Sequence, residues 1–403
     1  MALESTLHSM RNLMRSLESG EAVVAGVLSG TSGDGVDVVI ARLEVEESGG
    51  AYRPRALQQL AFACTPFPGD LGTRVRDVLD GAPLGLGAIA MLHRDLGLAF
   101  GEAVRALAKE SGCSPVLVGS HGQTVWHHDG AAPGERATLQ LGDADHVAQA
   151  AACWVASDFR QADIANGGEG APLSALVESL LFADLARPGA VLNLGGIGNL
   201  TILGEGDEPL AAFDTGPAGC LLDGLTRRLI QAPMDRGGER ALRGAVDEEL
   251  LLSWMRHPFF FGTSISTGRD TFGEHYVSKC LAEAQDRDGF HVDSVLATAA
   301  AFVAETVAEG IRRAPLASLE GLCVAGGGVH NAALMSELGA RTGLRVVSSV
   351  ELGVDPDARE ALGFAALGAG CALGWGWNGP DAPKKGVSRV LGRLSPAPGK
   401  QAP

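Results

Sequence analysis

Two carboxylates flank one guanidinium in Asp158-Phe159-Arg160-Gln161-Ala162-Asp163, and the following residues add Asn166, Glu169 and several glycines. An arginine between two acids can hold one ionised and leave the other free to accept a proton, as a general base must. The same density of polar groups also suits a loop that caps a helix or closes a domain. Upstream, Ser120-His121-Gly122-Gln123-Thr124 follows the apolar run 115–119. A strand end presenting Ser, His, Gln and Thr is either a hydrogen-bonding shelf for a sugar or a turn that satisfies its own backbone.

Three glycine-rich loops point to phosphate. Ser29-Gly30-Thr31-Ser32-Gly33-Asp34-Gly35 can turn consecutive N–H groups and hydroxyls toward an anion, with Asp34 and Asp37 available to orient a hydrated Mg²⁺. Asp214-Thr215-Gly216 sets a carboxylate beside a hydroxyl at a strand end, and Gly326-Gly327-Gly328 ends an apolar strand ahead of a helix. Each loop alone is equally an ordinary tight turn. The three in this order are more informative than any one.

The elements that carry these loops recur along the chain. The apolar run 22–28, the first loop and the run 36–43 read as a β-hairpin. Residues 190–194, the turn 195–198 and residues 199–203 repeat that unit, and a third strand at 209–213 delivers Asp214. Helical spacing covers 84–110, 173–185, 247–255 and 293–313. Strands followed by helices, twice over, predict two α/β domains with a cleft between them and a weak internal duplication. The predicted boundaries are 22–172 and 189–376, with terminal extensions 1–21 and 377–403. The run 361–377, full of Gly and Ala, reads as a closely packed helix that crosses back to the first half. The Pro-, Gly- and Lys-rich tail 378–403 is expected to fray.

Composition narrows the setting. A formal charge of −16 disfavours nucleic acid as a partner. Seven widely spaced cysteines without a CxxC pair fit reduced thiols in the cytoplasm. The first 21 residues lack the apolar core of a secretory signal, and no long uncharged apolar run suggests a membrane span.

Taken together, the motifs resemble those of the anhydro-N-acetylmuramic acid kinases. The resemblance rests on Val27 to Asp37, on Gly119-Ser120-His121-Gly122-Gln123-Thr124-Val125, on Gln140-Leu141-Gly142-Asp143 and on the stretch 158–173. It continues through Asn193-Leu194-Gly195-Gly196-Ile197-Gly198-Asn199, Phe213-Asp214-Thr215-Gly216-Pro217, Ser266-Thr267-Gly268-Arg269, Gly326-Gly327-Gly328 and Asp355 to Ala361. The resemblance implies an actin-like ATPase fold, shared by acetate and sugar kinases, heat-shock chaperones and actin, with the active site in the interdomain cleft. It implies ATP-dependent phosphorylation of 1,6-anhydro-N-acetylmuramic acid with hydrolytic ring opening, in peptidoglycan recycling.

The resemblance further implies Asp163 as the catalytic base, with Asp158 as fallback. His121, Gln123, Thr124, Asp158 and Arg160 would bind the sugar or hold its loop. Ser29, Gly30, Thr31, Ser32, Gly33, Asp34, Gly35, Asp214, Thr215, Gly216, Gly326, Gly327, Gly328 and Glu360 would serve ATP, with Mg²⁺ on Asp34 and Asp214. A homodimer is implied as well. The chain departs from the family pattern at Leu28, Gly33, Ala218-Gly219, Thr263-Ser264-Ile265 and Asp270. Those departures leave open a kinase of another amino sugar, or a non-catalytic ATP-binding clamp.

Overall fold

The computed structural model describes residues 2–30, 33, 35–128, 133–206, 208–262, 267–316, 318–377 and 389–398. The chain forms two units, residues 1–183 with 358–403, and residues 184–357.

Apolar residues at the centre of the first unit build its sheet. Its strands are β1 (Ala22–Ser29), β2 (Gly35–Ser48), β3 (Ala51–Pro66), β4 (Leu117–His128), β5 (Ala137–Leu141) and β6 (Trp154–Ser157). The second unit contributes β7 (Gly189–Leu194), β8 (Ile197–Leu203), β9 (Pro209–Pro217), β10 (Gly321–Ala325) and β11 (Val346–Ser348). A last strand, β12 (Arg393–Ser395), returns to the first sheet.

Among the described residues the sheet orders are β12-β6-β4-β1-β2-β3, with β5 on β4, and β11-β10-β7-β8-β9. Each contains the same five-strand pattern. An antiparallel meander (β1-β2-β3, β7-β8-β9) is followed by two parallel strands (β4 and β6, β10 and β11). The duplication suspected from two glycine-rich hairpins is therefore a duplication of sheet topology, as expected of an actin-like ATPase. The meander needs only short turns, whereas each parallel step needs a longer crossover connection.

The second unit packs its sheet against the helix Val292–Arg312, whose Val295, Ala299, Phe302, Val303 and Val307 lie in the core with Leu192, Leu200, Leu322 and Val324. That helix is long and apolar enough to cross a membrane by length and composition, but it is mostly buried within its unit. Phe260, Phe272, Phe302 and Trp254 extend this core through edge-on and stacked ring contacts.

The sequence boundaries need correction at the C-terminal end. The helix Arg359–Leu373 belongs to the first unit, not to a domain 189–376. Its small residues explain why. A Cβ built on Gly26 of β1 would overlap the carbonyl of Ala361, and one on Gly119 of β4 the carbonyl of Phe364. Only glycine lets the helix backbone sit this close to the two central strands. Arg359 at the helix start forms an ion pair of 2.6 Å with Glu178, both side chains 1% exposed. Breaking such a pair from one side is strongly destabilising, because the remaining charge stays buried.

Both extensions carry structure, and the C-terminal one departs from expectation. Residues 2–18 form a helix that places Leu13 and Leu17 in the interior. Instead of fraying, residues 389–395 of the tail pair with the first unit, through the Trp377–Arg389 bridge and β12 against β6. The cysteines are free, and burial pushes the Cys153 and Cys280 thiols up to about 12.

Gly26→Ala should lower stability by about 1–3 kcal/mol, the usual range for overpacking a tight interior. Urea unfolding would measure it. An unchanged midpoint would contradict the seating of the helix on β1.

Candidate functional site

In the first unit the candidate residues gather at the ends of β1 and β4. The parallel register pairs Val27 with Ser120 but Leu28 with Gly122, so His121 is the extra residue of a bulge. Gly122 supplies the positive φ of 82° there. Bulges re-aim side chains beside functional sites, and this one turns His121 against the ring of Phe364 at 4.3 Å.

His121 is buried and bonded on both ring nitrogens. Nδ1 lies 3.1 Å from the Gly122 carbonyl, and Nε2 accepts from Arg160 Nε at 2.8 Å. A carbonyl only accepts and a guanidinium only donates, so the ring is neutral and carries its proton on Nδ1. Arg160 also donates to the Gly170 carbonyl at 2.7 Å. Burial pulls the Arg160 guanidinium below its ordinary value, while the charges of Glu360 and Asp163 oppose that shift.

Asp163 and Asp158 do not divide one arginine between them. Arg160 makes its hydrogen bonds to His121 and Gly170 and meets Asp163 through charge. Asp163 is buried, its Oδ2 accepting from Gly170 N at 2.8 Å and its Oδ1 from Arg389 Nη1. Asp158 stands at the N-cap position of the short helix Phe159–Ala165 in a left-handed conformation, φ 60°, and its carboxylate meets Ser157 and Arg393 rather than the helix N–H groups. The two arginines from the tail were invisible to a reading that left 377–403 aside as an extension.

The remaining first-unit candidates lie at the same strand ends. Gln123 is fully buried and donates to the carbonyls of Gly30 and Thr124, while Thr124 accepts from Gln140. Ser29 is buried at the end of β1. Gly30 accepts from Gly33 N, Gly35 opens β2, and Asp37 lies within β2 opposite Leu28. Thr31, Ser32 and Asp34 lie outside the described residues, as do Thr263 to Ser266. Glu360 belongs to the first unit, where its charge acts on Arg160, whereas Asp214 and Gly326 to Gly328 belong to the second.

The second unit holds a cavity of about 660 Å³. Its walls include Gly195 and Gly196 of the β7–β8 turn, the start of the helix Gly219–Ile230, and Gly327 and Gly328 after β10. The Gly219 position answers one departure from the family pattern. A Cβ there would lie 2.8 Å from the Gly195 carbonyl, which also accepts from Gly219 N. His330 and Asn331, which follow the three glycines, line the same cavity, as do Asp223 and Arg227, which were missed. Asp223 and Arg227 stand four residues apart on one helix, a spacing that would have put them on one face. Burial pushes the Asp223 carboxyl up, against the pull of Arg227.

Asp214, Thr215 and Gly216 close β9 and are not part of the cavity wall. Asp214 accepts from Asn199 Nδ2 at 2.9 Å and from Thr267 N at 2.8 Å, and Thr215 donates to the Gly198 carbonyl. The hairpin turn, the β9 end and the 267 segment are thus tied together by one carboxylate.

Burial, with the charge of Arg160 second, holds the His121 ring well below the ordinary 6.5. Unfolding frees it to take a proton, so its contribution to stability is intact above that value and is lost as pH falls below about 6.5. His121→Gln should reduce the acid-side slope of unfolding free energy, read by urea titrations from about pH 5 to pH 8. Identical slopes in both proteins would contradict the buried neutral ring.

Residues 22–396 match the family model described as anhydro-N-acetylmuramic acid kinase. A relative of that name from Gloeobacter violaceus is 37% identical, covering 93% of this chain and 99% of its own. One from Streptomyces coelicolor is 40% identical over 86% of each chain, and one from Salinibacter ruber is 37% identical over 92% and 96%. With a match that spans both sheets and every candidate loop, the chain belongs to the anhydro-N-acetylmuramic acid kinase family, a family of sugar kinases.

Proposed function

We propose that the protein uses ATP to phosphorylate 1,6-anhydro-N-acetylmuramic acid while water opens its anhydro ring, giving N-acetylmuramic acid 6-phosphate and ADP. The observation that carries this reading is the buried Asp163 carboxylate, fixed by a backbone N–H and a guanidinium beside the His121–Arg160 pair. Family membership supports the substrate class. A binding clamp would have no use for a buried base in such a setting, and the phosphorylated product suits a role in peptidoglycan recycling in the cytoplasm.

The chemistry balances around that carboxylate. Asp163 accepts a proton from water as the water oxygen bonds to the anomeric carbon. The bond from that carbon to the bridging 6-oxygen breaks, and the freed electron pair on the oxygen attacks the γ-phosphorus of ATP, expelling ADP. His121 and Arg160, already bonded to one another, would present the sugar shelf, and Asp158 would hold the entry of the helix Phe159–Ala165. Gln123 and Thr124 would act from behind, keeping the strand ends in place.

ATP would occupy the second-unit cavity, whose volume lies in the usual range for small-molecule sites. Gly327 and Gly328 line it directly and Gly326 adjoins them, while Thr215 and Gly216, outside the cavity wall, would serve phosphate from the end of β9. Mg²⁺ would be held at Asp214. Each oxygen of that carboxylate accepts a bond, from Asn199 Nδ2 and from Thr267 N, and keeps acceptor capacity for an ion that retains most of its waters and binds through substrate phosphates. Bound there, the ion would neutralise charge on the transferring phosphoryl group. Within the first unit, Ser29 to Gly35 would serve phosphate, with Asp34 as a further Mg²⁺ candidate, and Glu360 would act with Arg160.

Product analysis with ATP, Mg²⁺ and a panel of anhydro and ordinary amino sugars tests the substrate. Phosphorylation confined to an ordinary amino sugar would replace this reading with that of a different sugar kinase. Asp163→Asn should cut sugar-dependent ADP release by about 10²–10⁴-fold while ATP still binds. Asp158→Asn should chiefly raise the apparent KM for sugar. Near-normal turnover of Asp163→Asn with a dead Asp158→Asn would move the base to Asp158.

A further inference from the structure

We infer that Arg389, delivered by the C-terminal segment, is a positioning residue that fixes the Asp163 carboxylate in the orientation its chemistry requires. The inference rests on the proposed role of Asp163 as base.

The two contacts on Asp163 come from different parts of the chain. Gly170 N reaches Oδ2 from the loop that follows the helix Phe159–Ala165, and Arg389 Nη1 reaches Oδ1 from the tail. One donor on each oxygen fixes the plane of the carboxylate, where one donor alone would leave it free to rotate. Each oxygen keeps acceptor capacity beyond the bond it makes. The side chains are 9% and 12% exposed, so the pair is weakly screened. By contrast Arg393, 75% exposed, meets Asp158 at the surface, where an ion pair contributes little.

The surroundings are shaped to hold this pair. Trp377 and Arg389 exchange two backbone hydrogen bonds of 2.8 and 3.1 Å. Beyond it Leu391 is buried, and β12 pairs with Val155 to Ser157, immediately ahead of Asp158. Residue 168 must be glycine for the pair to exist, because a Cβ there would overlap both Asp163 Oδ2 and Arg389 Nη1. Arg136 holds the same turn by donating to the Gly168 carbonyl at 3.1 Å and pairing with Glu169. Arg389 Nη2 is buried without a protein partner among the described residues, which leaves the guanidinium a donor in reserve beside the carboxylate.

A buried ion pair is a poor way to gain stability, since well-packed apolar residues of similar size often do as well. Its advantage is geometric. Misplacing a reacting group by about 1 Å can cost on the order of 10²-fold in rate.

The test compares Arg389→Gln and Arg389→Lys with the unaltered protein, using sugar-dependent ADP release normalised to ATP-binding sites. Arg389→Gln should lose about 10²-fold in kcat, with KM for sugar and for ATP each changed by less than about threefold. Arg389→Lys keeps a cationic donor and should recover about tenfold of that loss. A loss confined to the sugar KM would make Arg389 a substrate contact and overturn the inference, as would near-normal kcat in Arg389→Gln or a Lys variant no better than Gln. If the Gln variant does not fold, the Lys variant decides, because wild-type kcat there would equally overturn it. An unaltered protein inactive on every sugar tested would remove the kinase reading and this inference together. An active one with an indifferent Arg389 would remove only this inference.

Discussion

The first unit depends on how closely one helix can approach two strands. Arg359–Leu373 rests on β1 and β4 because Gly26 and Gly119 leave room for the carbonyls of Ala361 and Phe364. That contact brings Phe364 beneath the His121 ring, and it places Glu360 where its charge acts on Arg160. It also sends the chain on toward Trp377 and Arg389, which return along the same unit to Asp163. Leu362, Ala365 and Ala366 add apolar burial on the same helix. Dispersion contacts at such short separation are individually small and collectively large. The candidate base, its shelf and its arginine thus share one packing constraint, although they come from segments more than two hundred residues apart in sequence.

Much of this was legible in the residues themselves. Short apolar runs with glycine-rich turns located β1, β2, β7 and β8, because a two-residue period and a turn residue are local properties. Helical spacing likewise located the helix Val292–Arg312 to within about a residue or two at each end, the usual uncertainty of such limits. The stretch 158–163 stood out because carboxylates beside an arginine, in a loop dense with amide and glycine, are a local signal too, while the choice of Asp163 over Asp158 came from the resemblance.

What was not legible is long-range. Nothing near Gly26 or Gly119 announces that a helix more than two hundred residues later will press on them. The tail from 378 onward reads as polar and proline-rich, and only the pairing of β12 with β6 gives Arg389 and Arg393 their carboxylates. The bulge at His121 was hidden for a similar reason. A strand with Ser, His, Gly and Gln in succession reveals its register only against the partner strand. Glu360 was assigned to the nucleotide by the resemblance alone, and its place on a first-unit helix, where its charge acts on Arg160, could not be read from the residues around it.

The polar atoms left over follow from the same architecture. Ser29 Oγ, Ser120 Oγ and the Gln123 Oε1 are buried with no protein hydrogen-bond partner among the described residues. Leaving a buried polar group unsatisfied costs on the order of 1–3 kcal/mol. These atoms lie on neighbouring parallel strands, with Ser29 opposite Gln123 and Ser120 opposite Val27. They are held there by the bulge that turns His121 and by the Gln123 bond to the Gly30 carbonyl. All three therefore belong to the strand ends that carry the bulge at His121, where the register shift breaks the regular pairing of β1 with β4.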